Sequence, residues 1–266
     1  IDVGTAGSIT LLLQSLIVPS MFASGRVKLK IKGGTDVKWS MPIDYFKEIV
    51  LPHLSRIMDI KLKVLRRGYF PEGGGEVELI IKAKTLTGTK ISITKMSELA
   101  QVKGVSHASN KLMANHVSER QAKSARLHLS KLNCPMEIRS EYSETDGFGC
   151  GIMLWGIYLN AKEEISLAKP IRVGGDSLGE KSKRAEKVGE EAALNLLKEI
   201  DLNAPVDEYL ADNLIPFIGL FGGEIKVTKI SKHTTTNIFV TELFLGVKFD
   251  VNEEKRRIRV ESGYIQ

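Results

Sequence analysis

The sequence has 266 residues, of which 42% are hydrophobic and 26% are charged, so it is long and apolar enough for one large or two modest domains. Its formal charge of +6 is compatible with a polyanionic partner but does not establish one. The two cysteines, Cys134 and Cys150, exclude a disulfide framework and favour reduced thiols in a cytoplasmic protein. The longest apolar run, Ile9–Phe22, is too short and too polar to span a bilayer, which argues against a membrane partner.

The first elements are a turn at Gly4–Ser8 and a helix that begins at about Ser8. The helix is apolar on nearly all sides, which predicts that it is buried. Gln14 lies inside it, and a buried amide needs partners, either in the protein or in a ligand. A second helix should begin near Pro42, because apolar residues recur at helical spacing from Ile43 onward.

Strict alternation over Arg26–Lys32 predicts a strand with an apolar face and a basic face. The basic face is either ordinary solvated surface or a stripe that follows RNA phosphates. We name four basic residues as candidate RNA or phosphate contacts: Lys28, Lys30, Arg66 and Arg67.

Strands are also predicted at Ile60–Leu65 and Glu76–Ile81, joined by a loop that contains Gly73, Gly74 and Gly75. Three glycines could form a phosphate cradle, but no Lys-Ser/Thr pair and no helix follow them. A hairpin loop that needs positive φ angles is the better interpretation.

The order helix, strand, helix, strand, strand recurs near the end of the chain. The second copy would begin with a helix at either Ala185–Ile200 or Tyr209–Leu220. It continues with a strand at Glu224–Ile230, a helix at Ile238–Leu245, and strands at Val247–Val251 and Arg256–Val260. Two copies of one unit predict an α/β (α+β) repeat architecture of sheets with helices packed on them.

The stretch between the copies differs in character and predicts a small inserted α/β domain. Its histidines, His107, His116 and His128, are spaced too irregularly for a metal site and are expected at the surface. Gly174–Glu180 would mark the return to the main domain. The predicted domains are 1–93 (main domain, repeat unit), 94–162 (inserted domain) and 163–266 (main domain, last repeat unit).

Ser231–Asn237 is the strongest candidate for a catalytic motif. It places His233 at a strand-to-helix junction, among hydroxyls and the unpaired amides of a helix start, where anions bind. An imidazole beside such a site could attack phosphorus. Taken alone, the local pattern favours a surface loop whose Thr side chains cap the helix.

Taken together, these stretches resemble an archaeal-like RNA 3′-terminal phosphate cyclase. The matching motifs follow the family order and cover nearly the whole chain: Gly4–Ser8 with Gln14, Gly33–Asp36, Arg67–Pro71 with the three glycines, Glu119–Ala122, Tyr209–Asn213 and His233–Leu245. The resemblance implies repeated βαβαββ units with mixed four-stranded sheets and a small inserted domain.

The resemblance also implies ATP-dependent conversion of an RNA 3′-phosphate to a 2′,3′-cyclic phosphate. His233 resembles the family's nucleophile, which becomes adenylylated. ATP and a divalent metal, Mg²⁺ or Mn²⁺, would be the cofactors, and RNA with a 3′-phosphate end would be the substrate. By motif position the implied ATP-binding residues are Gln14, Met41, Tyr45, Tyr209, Leu210, Ala211, Asp212 and Asn213.

Three departures from the family pattern stand out. Asn213 occupies a position where Gln is usual, and Met41 one where Pro is common. The family's first repeat, which supplies an acidic metal contact, has no counterpart, so no metal ligand can be assigned. Because the chain opens at Ile1, inside a unit, we expect a further repeat upstream.

Two other functions remain open from the sequence. One is a non-catalytic RNA-processing factor of the same fold, and the other is a nucleotide-binding protein without an RNA substrate. The natural RNA and the oligomeric state are not indicated by the sequence.

Overall fold

The fold was analysed in a computed structural model that describes residues 1–83, 90–160, 164–166 and 170–265. Its regular elements form three sheets with helices packed on them. Among the described residues, no helix is both long and apolar enough to cross a membrane.

The first βαβαββ unit is built on a three-stranded antiparallel sheet in the order β1-β3-β2. Alongside β1, Asp2 makes a single parallel bridge to Lys32, so the chain start lies where a fourth strand would be. The unit consists of α1 (Ile9–Ser20), β1 (Val27–Gly33), α2 (Ile43–Tyr45), a π-helical turn (Phe46–Val50), α3 (Leu51–Leu54), β2 (Met58–Arg66) and β3 (Gly75–Ala83).

The loop between β2 and β3 confirms the hairpin interpretation. Gly73 and Gly74 have φ angles of +69° and +70°, in the left-handed region that favours glycine. The strands that flank the loop pair antiparallel, with Leu62 opposite Leu79.

A second unit repeats this topology on a four-stranded sheet in the order β10-β11-β9-β4. Its first strand, β4, is parallel to β9, as the chain start is parallel to β1 in the first unit. The repeat predicted from the order of elements is therefore confirmed. The unit consists of β4 (Ile91–Ile93), α6 (Glu208–Phe221), β9 (Gly223–Lys226), α7 (Lys232–Leu245), β10 (Asp250–Asn252) and β11 (Arg257–Val260).

The inserted domain enters this second unit between β4 and α6. It has its own four-stranded sheet, ordered β6-β5-β7-β8, and two helices that pack against each other. Its elements are β5 (Leu99–Ser109), a 3₁₀ turn (Asn110–Asn115), α4 (Val117–Leu129), β6 (Met136–Ser143), β7 (Cys150–Tyr158), β8 (Arg172–Leu178) and α5 (Ala185–Asp201).

The inserted domain is longer than the sequence predicted. The predicted end of the inserted domain, between residues 162 and 163, lies outside the described residues. The inserted sheet continues past this point. β8 pairs antiparallel with β7, so the glycines of Gly174–Glu180 belong to a strand and do not mark a return to the main domain. Of the two helices considered for the second unit, α6 is the correct one, because α5 packs on the inserted sheet.

Two large apolar cores lie within the described residues, and the larger one also takes in Met153 and Trp155 of the inserted sheet. The larger one joins both repeat units and contains residues such as Ile9, Phe46 and Ile215. The second lies between the inserted sheet and its helices and contains Leu154, Val188 and Leu196. Val173 of β8 is fully buried in this second core, which explains why β8 stays with the insert.

Candidate active site

The start of α7 places His233 at the surface of the second unit. The sequence predicted this helix from Ile238, but it begins at Lys232, because Ser231 and Thr234 form a capping box. The Ser231 hydroxyl accepts from the Thr234 amide at 3.0 Å, and the Thr234 hydroxyl accepts from the Ser231 amide at 3.3 Å. His233 therefore lies in the first helical turn, with its side chain exposed.

Asp212 of α6 anchors this helix start. One oxygen of its carboxylate accepts hydrogen bonds from the hydroxyls of Ser231, at 3.2 Å, and Thr234. Its backbone carbonyl also accepts from the Asn237 side chain, at 3.1 Å. Burial raises the pKa of Asp212, and the hydroxyl hydrogen bonds oppose that rise. The carboxylate predicted to contact ATP is thus engaged in orienting the helix that carries His233.

Gln14, Tyr209 and Asn213 meet where α1 and α6 approach each other. The Gln14 amide donates to the Asn213 carbonyl oxygen at 2.8 Å, and the Asn213 amide donates to the Tyr209 backbone carbonyl, also at 2.8 Å. The shorter Asn213 side chain therefore still reaches Gln14. Tyr209 is 56% exposed and presents an aromatic ring to solvent beside this pair.

The buried ring of Tyr45 packs against the ring of Tyr209. Its side chain is fully buried, and its ring meets the Tyr209 ring edge to face, with centroids 6.0 Å apart. Its hydroxyl donates to Asp207, whose carboxylate also accepts from the amides of Leu210, at 2.8 Å, and Gly174, at 2.9 Å. Burial raises the pKa of Tyr45 well above its ordinary value and that of Asp207 to about 7. Tyr45 therefore has no free face for a base.

The remaining predicted ATP residues lie mainly in the interior. Leu210 and Ala211 have no exposed side-chain surface. Met41 is partly buried against the core, and its backbone carbonyl accepts from the Thr10 hydroxyl at 2.9 Å.

Three of the four basic residues proposed for RNA are at the surface but already paired. Lys28 and Lys30 form cross-strand ion pairs with Glu78, at 2.8 Å, and Glu76, at 3.2 Å. Arg66 contacts Asp146 of the inserted domain at 2.7 Å. Exposed pairs of this kind can exchange partners at low cost.

Arg67, the fourth predicted RNA or phosphate contact, is only 3% exposed and is held by carboxylates of the protein itself. Its guanidinium contacts the carboxylates of Asp36 at 3.2 Å, Asp44 at 2.6 Å and Glu141 at 2.5 Å. Burial lowers the pKa of Arg67, but the charges of Asp44 and Asp36 outweigh burial and hold it above its ordinary value. Arg67 therefore joins the first unit to β6 of the insert.

The expectation that His107 lies at the surface is wrong. Its side chain is 1% exposed, and its Nδ1 lies 2.8 Å from the Tyr69 hydroxyl. Burial, aided by the charge of Arg67, lowers the pKa of His107. We refer to Asp36, Asp44, Arg67, His107 and Glu141 as the junction cluster. Sequence reasoning missed it because its members are far apart along the chain, although Asp36 and Arg67 both lie in motifs singled out above.

Comparison with known proteins identifies the family. The duplicated βαβαββ unit with one inserted α/β domain defines the class as an α/β repeat protein. Residues 1–251 match the RNA 3′-terminal phosphate cyclase family. The chain belongs to that family.

Curated relatives named RNA 3′-terminal phosphate cyclase align over nearly the whole chain. One from Pyrococcus abyssi is 44% identical over 96% of this chain and 71% of its own length. One from Pyrococcus furiosus is 43% identical over 98% of this chain and 73% of its own length. One from Archaeoglobus fulgidus is 39% identical over 95% of this chain and 73% of its own length.

Proposed function

We propose that the protein converts an RNA 3′-terminal phosphate to a 2′,3′-cyclic phosphate with consumption of ATP, through a covalent His233–AMP intermediate. Family membership and the names of the relatives support the cyclase activity. The observation that carries the role of His233 is its exposed position in the first turn of α7, on a helix start anchored by Asp212.

His233 is suited to phosphorus chemistry for two reasons. Its side chain is accessible, so a nucleotide can reach its ring nitrogen. The amides of the first helical turn and the positive end of the helix dipole favour phosphate oxygens beside it. Two capping-box hydroxyls and Asp212 hold this turn in place, which reduces the reorganisation needed during the reaction.

The proposed reaction has three balanced steps. A ring nitrogen of His233 attacks the α-phosphorus of ATP, an N–P bond forms, and the bond to pyrophosphate breaks. An oxygen of the RNA 3′-phosphate then takes the AMP, and the N–P bond breaks. Finally, the 2′-hydroxyl attacks the terminal phosphorus, loses its proton to solvent, and expels AMP.

Tyr209 and the Gln14–Asn213 amide pair would bind the adenine nucleotide. The exposed Tyr209 ring can stack on a base, and Tyr45 holds it from behind. The two amides, joined at 2.8 Å, offer hydrogen bonds to the edge of a base or to ribose.

A divalent ion, Mg²⁺ or Mn²⁺, belongs to this proposal as the partner of the ATP phosphates, whose charge it would neutralise. Asp212 does not fit as its ligand, because its carboxylate already accepts from two hydroxyls and lies beneath the helix start. We therefore derive no step through an ion bound to this end of the protein.

The test is a cyclisation assay on an oligoribonucleotide with a 3′-phosphate. The protein should form the 2′,3′-cyclic end only with ATP and a divalent ion, and a 3′-hydroxyl oligonucleotide should remain unchanged. His233→Ala should abolish the reaction, whereas the control His116→Ala, at another exposed histidine, should retain it. RNA binding without cyclisation by the unaltered protein would support the alternative of a non-catalytic processing factor.

A further inference from the structure

The junction cluster contains three groups in the arrangement of metal ligands. Asp36, Asp44 and His107 each offer one ligand atom, and these atoms lie within 4.8 Å of one another. All three side chains are buried, with relative exposures of 1–3%. Carboxylate and imidazole groups together suit divalent first-row metal ions.

One oxygen of this group lacks a partner. Asp36 Oδ2 contacts the Thr35 hydroxyl at 2.7 Å and the Arg67 guanidinium at 3.2 Å, but the buried Oδ1 has no hydrogen bond. Oδ1 points toward His107 Nε2, 3.5 Å away. A buried carboxylate oxygen without a partner is costly and calls for an explanation.

The hydrogen bond on the other side of His107 is compatible with the tautomer that binds metal through Nε2. Nδ1 lies 2.8 Å from the Tyr69 hydroxyl. If Nδ1 carries the proton and donates it to Tyr69, the lone pair of Nε2 faces the Asp36 oxygen. Two acceptors so close together need a cation between them. Metal-binding histidines commonly donate their second N–H in this way.

The charges of the junction cluster leave room for a divalent ion. Asp36, Asp44 and Glu141 carry three formal negative charges, and the Arg67 guanidinium that contacts all three carries one positive charge. These four groups sum to −2, and Arg139, which lies 3.5 Å from Glu141 at the exposed edge of the cluster, reduces the net charge to −1. Buried charges without compensation are unfavourable.

We propose that Asp36, Asp44 and His107 bind a divalent transition-metal ion, such as Mn²⁺ or Zn²⁺, that fastens the inserted domain to the first repeat unit. Two ligands come from the first unit and one from β5 of the insert. The 3.5 Å between His107 Nε2 and Asp36 Oδ1 is close to the ~3.4 Å edge of a tetrahedron with metal–ligand bonds of about 2.1 Å. The Asp44 oxygen, which lies within 4.8 Å of the other two ligand atoms, has to move inward.

Arg67, Thr35 and Tyr69 would act as the outer shell of this site. Arg67 and Thr35 occupy Asp36 Oδ2, and Arg67 also holds Asp44 Oδ2 at 2.6 Å, so the remaining oxygens stay oriented. A cleft lined by Asp44, Lys47, Arg67, Arg139 and Glu141 opens to solvent on the Asp44 side of the site. The site does not depend on the proposed cyclase reaction.

The direct experiment measures metal bound in the absence of ATP. The protein is stripped with EDTA, incubated with Mn²⁺ or Zn²⁺, desalted and analysed for metal content. We expect about one ion per chain in the unaltered protein. Asp36→Asn and His107→Gln should lose it. The control Asp146→Asn, which breaks an exposed ion pair at the same junction, should keep it.

A spectroscopic measurement keeps the proposal testable if the variants do not fold. Electron spin echo spectra of the Mn²⁺-loaded, unaltered protein should show coupling to one imidazole nitrogen. Metal should also raise the melting temperature of the unaltered protein and of Asp146→Asn. The proposal is overturned if the unaltered protein retains no ion, if its bound Mn²⁺ shows no nitrogen coupling, or if folded His107→Gln binds as much metal.

Discussion

The start of α7 and the junction cluster are two polar regions of the same repeat fold with opposite designs. At the start of α7, the histidine is exposed and only its supports, Asp212 and the Ser231 and Thr234 hydroxyls, are buried or partly buried. In the junction cluster, the histidine and the arginine are themselves buried and surrounded by carboxylates. The first arrangement leaves a reactive group accessible, and the second places buried charges between two domains.

The contrast shows that residue type alone does not assign a role. Arg67 and His107 are types that bind phosphate or metal, yet their burial excludes direct contact with RNA. His233 has the same chemistry as His107, but its exposure leaves it available to a substrate. The following predictions test the junction cluster through its effect on stability and the start of α7 through its effect on ATP chemistry.

The largest effect on stability should follow from Arg67→Met. The change leaves Asp36 and Asp44 buried without their counter-ion, so we expect a loss of about 3–5 kcal/mol in the free energy of unfolding. Urea unfolding measures it. The matched control is Arg66→Met, which removes an exposed pair with Asp146 and should cost about 1 kcal/mol or less. Equal losses in both variants would show that the cluster is not a structural centre.

Tyr209→Ala should act mainly on ATP. Loss of a stacking ring costs about 1–3 kcal/mol, which corresponds to roughly tenfold weaker binding or more. Stability should change little, because the ring is 56% exposed. Tyr264→Ala, at a 63% exposed tyrosine, is the control and should leave ATP affinity unchanged. If calorimetric titration gives the same affinity for Tyr209→Ala as for the unaltered protein, Tyr209 is not in the nucleotide site.

Asp212→Ala should affect both stability and chemistry, because Asp212 holds the turn that carries His233. Two hydroxyls lose their shared acceptor, at a cost of about 1–2 kcal/mol in stability. The rate of adenylylation should fall severalfold while ATP affinity changes less. Glu208 lies on the same helix as Asp212 and forms an ion pair with Lys229. The control Glu208→Ala should leave the rate of adenylylation unchanged. A rate unchanged in Asp212→Ala would remove it as a positioning residue.

The smallest effect on stability should come from the buried histidine His53, through its pH dependence. Burial lowers the pKa of His53 to about 3, so the folded state excludes a proton that the unfolded state binds below about pH 6.5. Its contribution to stability is therefore complete above pH 6.5 and is lost as the pH falls. Gln does not titrate, so the free energy of unfolding of His53→Gln should fall less than that of the unaltered protein between pH 7.5 and 5.5. The difference between the two falls should be about 1 kcal/mol. Parallel pH profiles would contradict this.

Much of the fold could be predicted from local patterns. Alternation gave the strand over Arg26–Lys32, and the three glycines gave the hairpin loop, because both depend on residues close in sequence. The end of the inserted domain could not be predicted, because the pairing of β8 with β7 crosses a long segment of chain. A glycine-rich strand resembles a loop when its partner is unknown.

The candidate site shows the same limit. His233 could be found because the residues that define its helix start are its neighbours in sequence. The apolar pattern alone predicts that α7 begins at Ile238, whereas the Ser231–Thr234 capping box starts it at Lys232. The contacts of Arg67 and His107 join α2, β5, β6 and two loops of the first unit, and no local signal distinguishes such residues from surface ones.

Transfer of AMP to His233 is the central claim, and the most direct measurement is covalent labelling with α-labelled ATP followed by peptide mapping. The unaltered protein should carry about one acid-labile AMP per chain, located on the peptide that contains His233. Lys232→Ala, at the adjacent exposed residue, should label, and His233→Ala should not. The label should leave when RNA with a 3′-phosphate is added. Stable label on another residue, or full labelling of His233→Ala, would contradict the account.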